Sequence, residues 1–310
     1  MIRRIATYLL RVLLFIPGLL PLGVHIALAR PLGWLLRKVV RYRVDVVRDN
    51  LEKSFPSMDE AARHEVEKRF YRHFAEIFCE AIWFGSCLGP RRLRRSGVVR
   101  VVNPEVLAEA AASAPSVVCM YSHAGNWELL GGIASYMPEG CGSILNEGNT
   151  CVVYKALSSK VWDDLMKMLR FAPLEDRAGF EGYLEADSLI RYVISHRDAH
   201  KFYFINTDQR PYKNARGAVK VNFMNRECAS MAAAATIAAK FHFALLYQRM
   251  VETQRGHYTI EFVPICSDAS QMTPEEAMQR YYALLQADLE AQPHNYLWTH
   301  KRWKKSRLQQ

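Results

Sequence analysis

No C-x-x-C pair occurs in the 310 residues. The seven cysteines (Cys79, Cys87, Cys119, Cys141, Cys151, Cys228 and Cys266) are scattered and odd in number. That excludes a cysteine zinc ribbon and argues against a disulfide framework, so a reducing compartment is expected. G-x-S-x-G and H-E-x-x-H are also absent, which removes the nucleophile elbow of serine hydrolases and the zincin site. There is no internal repeat, no long low-complexity linker and no recognised nucleic-acid-binding motif. Acidic residues are the scarcer charge, with 31 Asp and Glu against 41 Lys and Arg, for a formal net charge of +10. An excess of that sign calls for an anionic partner: nucleic acid, a membrane face, a phosphorylated substrate or an acidic carrier protein.

The N-terminus supplies what the rest lacks, a long apolar run. Arg3, Arg4 and Arg11 precede Val12–Ala29, eighteen residues in which only His25 can carry charge. Eighteen is near the minimum of roughly 17–25 for a spanning helix. Pro17 and Pro21 argue for a kinked or re-entrant form. No small-x-small cleavage site marks a signal peptide, and Arg30, Arg37, Lys38, Arg41 and Arg43 follow. A retained anchor over residues 1–40 is expected, with residues 41–310 as one domain on the cytosolic side.

Beyond the anchor, two helical pieces are expected. The second, from Met58 to about Phe84, opens on a Ser57/Glu60 capping box and carries Phe70, Phe74, Ile77, Phe78, Ala81 and Ile82 at helical spacing. The basic run Arg91, Arg92, Arg94 and Arg95 suits solvent or anionic headgroups. From Val98 onward β-rich runs (VVRVV, SVVCMY, CVVY, KFYFIN, VKVNF, HFALLYQRM, HYTIEFVPI) alternate with helical ones. The latter are GFEGYLEADSLIRYVISHRDAH, CASMAAAATIAAKF and a helix opened by a Thr273/Glu276 capping box. Strands interleaved with helices predict an α/β fold with a mostly parallel sheet flanked by helices.

One stretch carries chemistry. In SVVCMYSHAGNWELLGG, His123 and Glu128 stand five apart where a strand gives way to a helix. On one continuous helix they would be rotated by about 140° and share no face. They can meet only if His123 lies in the loop and Asn126 caps a helix holding Glu128 in its first turn. His123 would then act as general base, with its second nitrogen donating to Glu128. Ser122 points away from its neighbour on an extended segment, so a serine nucleophile is not expected. H-x-x-x-x-E has no third ligand in view, so no metal is assigned there.

Several short motifs occur in a telling order. SHAGNWELLGG resembles the H-x-x-x-x-(D/E) motif of the glycerolipid acyltransferase superfamily, and VVRDNLEKSFP is similar to an N-L-x-x-x-F-P segment. VVYKAL falls where Y-R-P is usual, NTDQRP resembles a D-Q element, and PHNYLWTHKRWK resembles the closing tryptophan–histidine–arginine signature. Together they are similar to the lipid A biosynthesis late acyltransferase family. The resemblance implies a PlsC-like fold with an N-terminal membrane-anchoring helix, at the cytoplasmic face of the inner membrane. It implies an acyl thioester donor, on acyl carrier protein or as acyl-CoA, an anionic lipid acceptor, no nucleic acid and no cofactor. His123 and Glu128 become catalytic residues, and Asn126, Lys155, Asp208, Gln209 and Arg210 substrate-binding ones. Lys155 stands where the family has arginine and lacks its bidentate fork. An acceptor that is an amino-acid lipid or glycolipid, or a silent membrane-binding homologue, fits the same pattern. Trp298 and Trp303, beside Lys301, Arg302, Lys304 and Lys305, suit either an interfacial belt or packing of the tail.

Overall fold

The computed structural model describes residues 2–211 and 217–303; Lys304 and Lys305 lie outside them. Two helices open the chain, α1 (Ile2–Gly18) and α2 (Leu22–Lys38), bent by 108° at the break between them. Pro17 sits in the last turn of α1 and Pro21 precedes α2, where a missing N–H is harmless. No single helix among the described residues is long and apolar enough to cross a membrane; the bent pair meets that test only when taken together. Leu9, Leu13 and Ile16 are each about two-thirds exposed, at 66%, 65% and 65%, so one face of α1 stays outside the core. The other side is fastened down. Gly33 of α2 lies so close to α4 (Glu60–Phe84) that a Cβ would come 2.6 Å from the Tyr71 carbonyl.

The arginine run forms α5 (Pro90–Ser96), and Arg92 turns inward. Its guanidinium donates to the carbonyls of Gly18, Leu19 and Leu20 at 3.0, 3.3 and 2.9 Å, capping the C-terminus of α1. Arg91, Arg94 and Arg95 stay exposed.

Helix α3 (Val44–Ser54) and α4 are the two expected helical pieces. The cap of α4 is Asp59 rather than Ser57: its carboxylate accepts from Ala62 N at 2.7 Å, and so sets the start two residues later. Phe70, Phe74, Ile77 and Ala81 are buried as expected, whereas Phe78 is half exposed.

Seven strands form one sheet: β1 (Val99–Val101), β2 (Val117–Tyr121), β3 (Thr150–Tyr154), β4 (Tyr183–Glu185), β5 (Phe202–Asn206), β8 (Ala244–Gln254) and β9 (His257–Cys266). Their order is β1-β9-β8-β2-β5-β3-β4, and every pairing is parallel except β8 with β9. Strand β2 is buried at all five positions, as a central strand covered on both faces must be. Helices α6 (Pro104–Ser113), α7 (Lys160–Phe171), α8 (Leu189–Ser195), α9 (Ala233–Lys240) and α10 (Pro274–Ala291) complete the layers. The Thr273/Glu276 capping box at α10 is formed.

Two expected helices are only half helical. In GFEGYLEADSLIRYVISHRDAH the first part becomes β4, because the open edge of β3 takes it up: Val152 N donates to Gly182 O at 2.7 Å. In CASMAAAATIAAKF the first residues belong to β7 (Arg226–Met231), which pairs antiparallel with β6 (Ala218–Phe223). The hairpin turns at Met224 and Asn225, both at positive φ, 51° and 62°, as a two-residue turn matching strand twist demands. Cross-strand pairing overrides local helix propensity in both places.

Candidate active site

Parallel strands end on the same side of a sheet, and the carboxyl edge is where open α/β sheets place their sites. His123 follows β2, Asp208 and Gln209 follow β5 and Lys155 follows β3. These strands are neighbours in the order β2-β5-β3, so residues up to 86 positions apart converge.

The loop from Ser122 to Asn126 is tightly held. Gly125 has φ +67°, and a Cβ there would lie 2.6 Å from Met250 Cγ, so only glycine suits the position. Its N–H donates to Asn295 Oδ1 at 2.9 Å, and the His123 carbonyl accepts from Leu297 N at 3.2 Å. Asn126 caps the following 3-10 helix (Trp127–Tyr136) by accepting from Glu128 N at 3.1 Å. That cap is as expected. Asn126 does not face the cleft, however: it is fully buried, and its amide donates to Glu80 Oε2 at 2.7 Å. Burial pushes the Glu80 carboxyl up to about 8, against the hydrogen bonds from Asn126 and Tyr258.

His123 is not bonded to Glu128. Its Nδ1 lies 2.7 Å from Asp208 Oδ1, and its backbone N–H donates to Asp208 Oδ2 at 3.2 Å. Burial alone would raise the Asp208 carboxyl. The His123 ring and these hydrogen bonds outweigh burial and hold it below the ordinary carboxylate range. An ionised carboxylate only accepts, so Nδ1 carries the ring proton and Nε2 presents a lone pair. Gln209 Nε2 donates to it from 3.1 Å. Trp127 stands edge-on to the ring, centroids 4.8 Å apart.

Glu128 belongs to the opposite wall. Its oxygens accept from Arg170 Nε and Nη2, both at 2.9 Å, and from Trp127 Nε1 at 3.1 Å. Arg170 also donates to the Tyr183 hydroxyl. Burial opposes the guanidinium's charge, but Glu128 and Tyr183 together raise its pKa. The five-residue spacing fails to join His123 and Glu128 because a bidentate arginine geometry competes for the carboxylate.

Between the walls lies a cleft of about 580 Å³. It is lined by His123, Glu128, Lys155, Arg170, Gln209 and Arg210 among others. Lys155 is exposed and Arg210 partly so, giving the mouth a basic rim. Asp208 sits behind His123, buried, and does not reach the cleft.

The sequence motifs at the two ends meet behind this site. Asn50 of α3 donates to the carbonyls of Trp298 and His300 at 2.8 and 3.0 Å. Trp298 is fully buried, and Arg302 bonds Ala229 O and the Tyr282 hydroxyl, both at 2.7 Å. As far as Trp303 the tail is therefore packed into the core rather than presented as a belt. His300 lies beside the site; burial lowers its pKa to about 4, with Asp208 opposing and His123 adding to the drop. Arg170 and Tyr183 were not legible as site residues, since 42 positions separate Arg170 from Glu128 and no short motif links them.

A histidine with a buried carboxylate on one nitrogen, at the edge of a basic cleft on an α/β sheet, has the chemistry to take a proton from a hydroxyl. A family model for bacterial lipid A biosynthesis acyltransferases matches residues 1–305. The chain belongs to that family and is an acyltransferase, which implies an acyl donor and a lipid acceptor. No curated protein matches the sequence significantly.

Proposed function

We propose that the protein moves a fatty acyl chain from an acyl thioester to a hydroxyl of a lipid A precursor or a related anionic lipid. In this reading the fold is PlsC-like. Residues 1–40 anchor the chain at the inner membrane, and residues 41–310 work on its cytoplasmic side. The observation that carries the mechanism is the pairing of His123 Nδ1 with Asp208, which leaves Nε2 toward the cleft.

The acceptor hydroxyl takes the place of the Gln209 amide on Nε2. As its oxygen attacks the thioester carbonyl, the proton passes to Nε2 and Asp208 stabilises the imidazolium. The Gln209 N–H, released from Nε2, is then free to donate to the developing oxyanion. Collapse breaks the C–S bond, and the imidazolium returns the proton to the departing thiolate. Products are the acyl ester and the free thiol. Glu128 acts at one remove, fixing Arg170 in the cleft wall. Lys155 and Arg210 suit phosphate groups on the acceptor, and a basic surface suits acyl carrier protein as donor.

Purified protein in detergent, given acyl carrier protein thioesters and phosphorylated disaccharide lipid precursors, should yield acylated lipid and free thiol in equal amounts. His123→Ala should abolish both. Undiminished transfer by that variant would overturn the general-base assignment. Transfer only to amino-acid lipids or glycolipids would move the acceptor.

A further inference from the structure

Behind the loop that carries His123 lies a second cluster of buried polar groups that acyl transfer does not use. His73 and Glu76 stand one turn apart on α4, and Glu252 reaches toward them from β8. His73 and Glu76 are 1% and 0% exposed. Neither nitrogen of His73 makes a hydrogen bond, although the Gly125 backbone approaches its ring. Each carboxylate uses only one oxygen. Glu76 Oε1 accepts from Arg255 Nε at 2.6 Å and Glu252 Oε2 meets His294 Nε2 at 2.8 Å, while Glu76 Oε2 and Glu252 Oε1 have no partner.

Leaving a buried donor or acceptor unpaired costs about 1–3 kcal/mol, more for a charged group. Three such groups in one place therefore point to something that binds them. His73 Nδ1 and Glu76 Oε2 stand 4.0 Å apart, and one ligand atom from each of the three residues lies within 4.8 Å of the other two. Helical i, i+3 spacing is what places two of them on one face.

We propose that His73, Glu76 and Glu252 bind a divalent first-row metal ion of zinc type, which braces the His123 loop from behind. One imidazole nitrogen and two carboxylate oxygens are a donor set such ions accept, with water completing the shell. Donors about 2.0–2.2 Å from a tetrahedral ion stand about 3.3–3.6 Å apart, so a pair at the 4.8 Å limit must close by about 1.2–1.5 Å. Rotation about the glutamate side-chain torsions supplies that. Arg255 and His294 then play the outer part, each holding the far oxygen of a ligating carboxylate. The ion would tie α4 to the β8–β9 hairpin under Gly125. It would not touch substrate, and the proposal stands whether or not the acyl-transfer reading holds.

The test uses the full-length protein in detergent, stripped with a chelator, incubated with Zn²⁺ and desalted. Elemental analysis should find about one zinc per chain, and thermal unfolding should move up by about 5 °C at saturating Zn²⁺. Glu252→Gln keeps an acceptor for His294 and removes the charge, and His73→Asn removes the nitrogen ligand. Both variants should retain less than about a tenth of an equivalent and lose the thermal shift. An exposed-histidine variant, His242→Ala, should behave as wild type. Wild-type protein that retains under about a tenth of an equivalent, or shows no thermal shift, overturns the proposal and leaves buried water as the bridge. Retention unchanged in both variants overturns it equally.

Discussion

Two carboxylates stand at this site, one behind His123 and one in the opposite wall of the cleft, and they differ in what each is bonded to. Asp208 is buried, and the partner with which it shares charge is the imidazole of His123. Glu128 is partly exposed and spends both oxygens on Arg170, a permanent cation. A carboxylate that faces a titrating ring gains interaction energy as that ring becomes charged; one locked to arginine gains little. The contrast favours the proposal that Asp208 controls the tautomer and Glu128 shapes the wall, though Glu128 is nearer to His123 in sequence.

Variants at these positions separate the two. His123→Ala removes the base and should lower kcat/KM by about 10³-fold or more with the fold kept. Asp208→Asn should cost about 10²-fold, mostly in kcat, because the neutral amide neither fixes the Nδ1–H tautomer nor stabilises the imidazolium. Glu128→Gln should cost only about 10-fold, because it disturbs a bidentate pair rather than the proton path, and Arg170→Gln in the same chain should add little. Steady-state kinetics on the four purified variants measure the order. Equal losses at 128 and 208 would erase the distinction drawn here.

The smallest effect is in stability and concerns the backing of Asp208. Burial lowers the His300 imidazole to about 4, below the ordinary 6.5. The folded state therefore binds fewer protons, so this contribution is fully present above pH 6.5 and is lost as pH falls toward 4. The loss should be on the order of 1–2 kcal/mol once partial exposure is allowed for. Denaturant unfolding across that range should show a shallower acid decline in His300→Gln.

Much of this was legible from the sequence, for identifiable reasons. Central strands such as VVCMY are apolar throughout, and Thr273 with Glu276 is a self-contained local bond. Local signals also put His123 at a strand end and Asn126 at a helix start. Partner choice was not legible. Whether Glu128 meets His123 or Arg170 depends on helix α7, 42 residues on, and Asp208 reaches His123 only because β2 and β5 are neighbours. Nor does composition tell the two ends apart. The N-terminal helices and the C-terminal tail are both basic and apolar, yet Leu13 is 65% exposed and Trp298 fully buried. Asn50 decides the second case by binding the tail's carbonyls.

The central claim is that Asp208, not Glu128, holds the His123 ring. Nitrogen-15 NMR of histidine-labelled protein reads it directly, with His123→Gln used to assign the signal. An Nδ1–H tautomer with a strongly hydrogen-bonded proton is expected in the wild type and in Glu128→Gln, and its loss in Asp208→Asn. The same signal surviving in Asp208→Asn and vanishing in Glu128→Gln would contradict it.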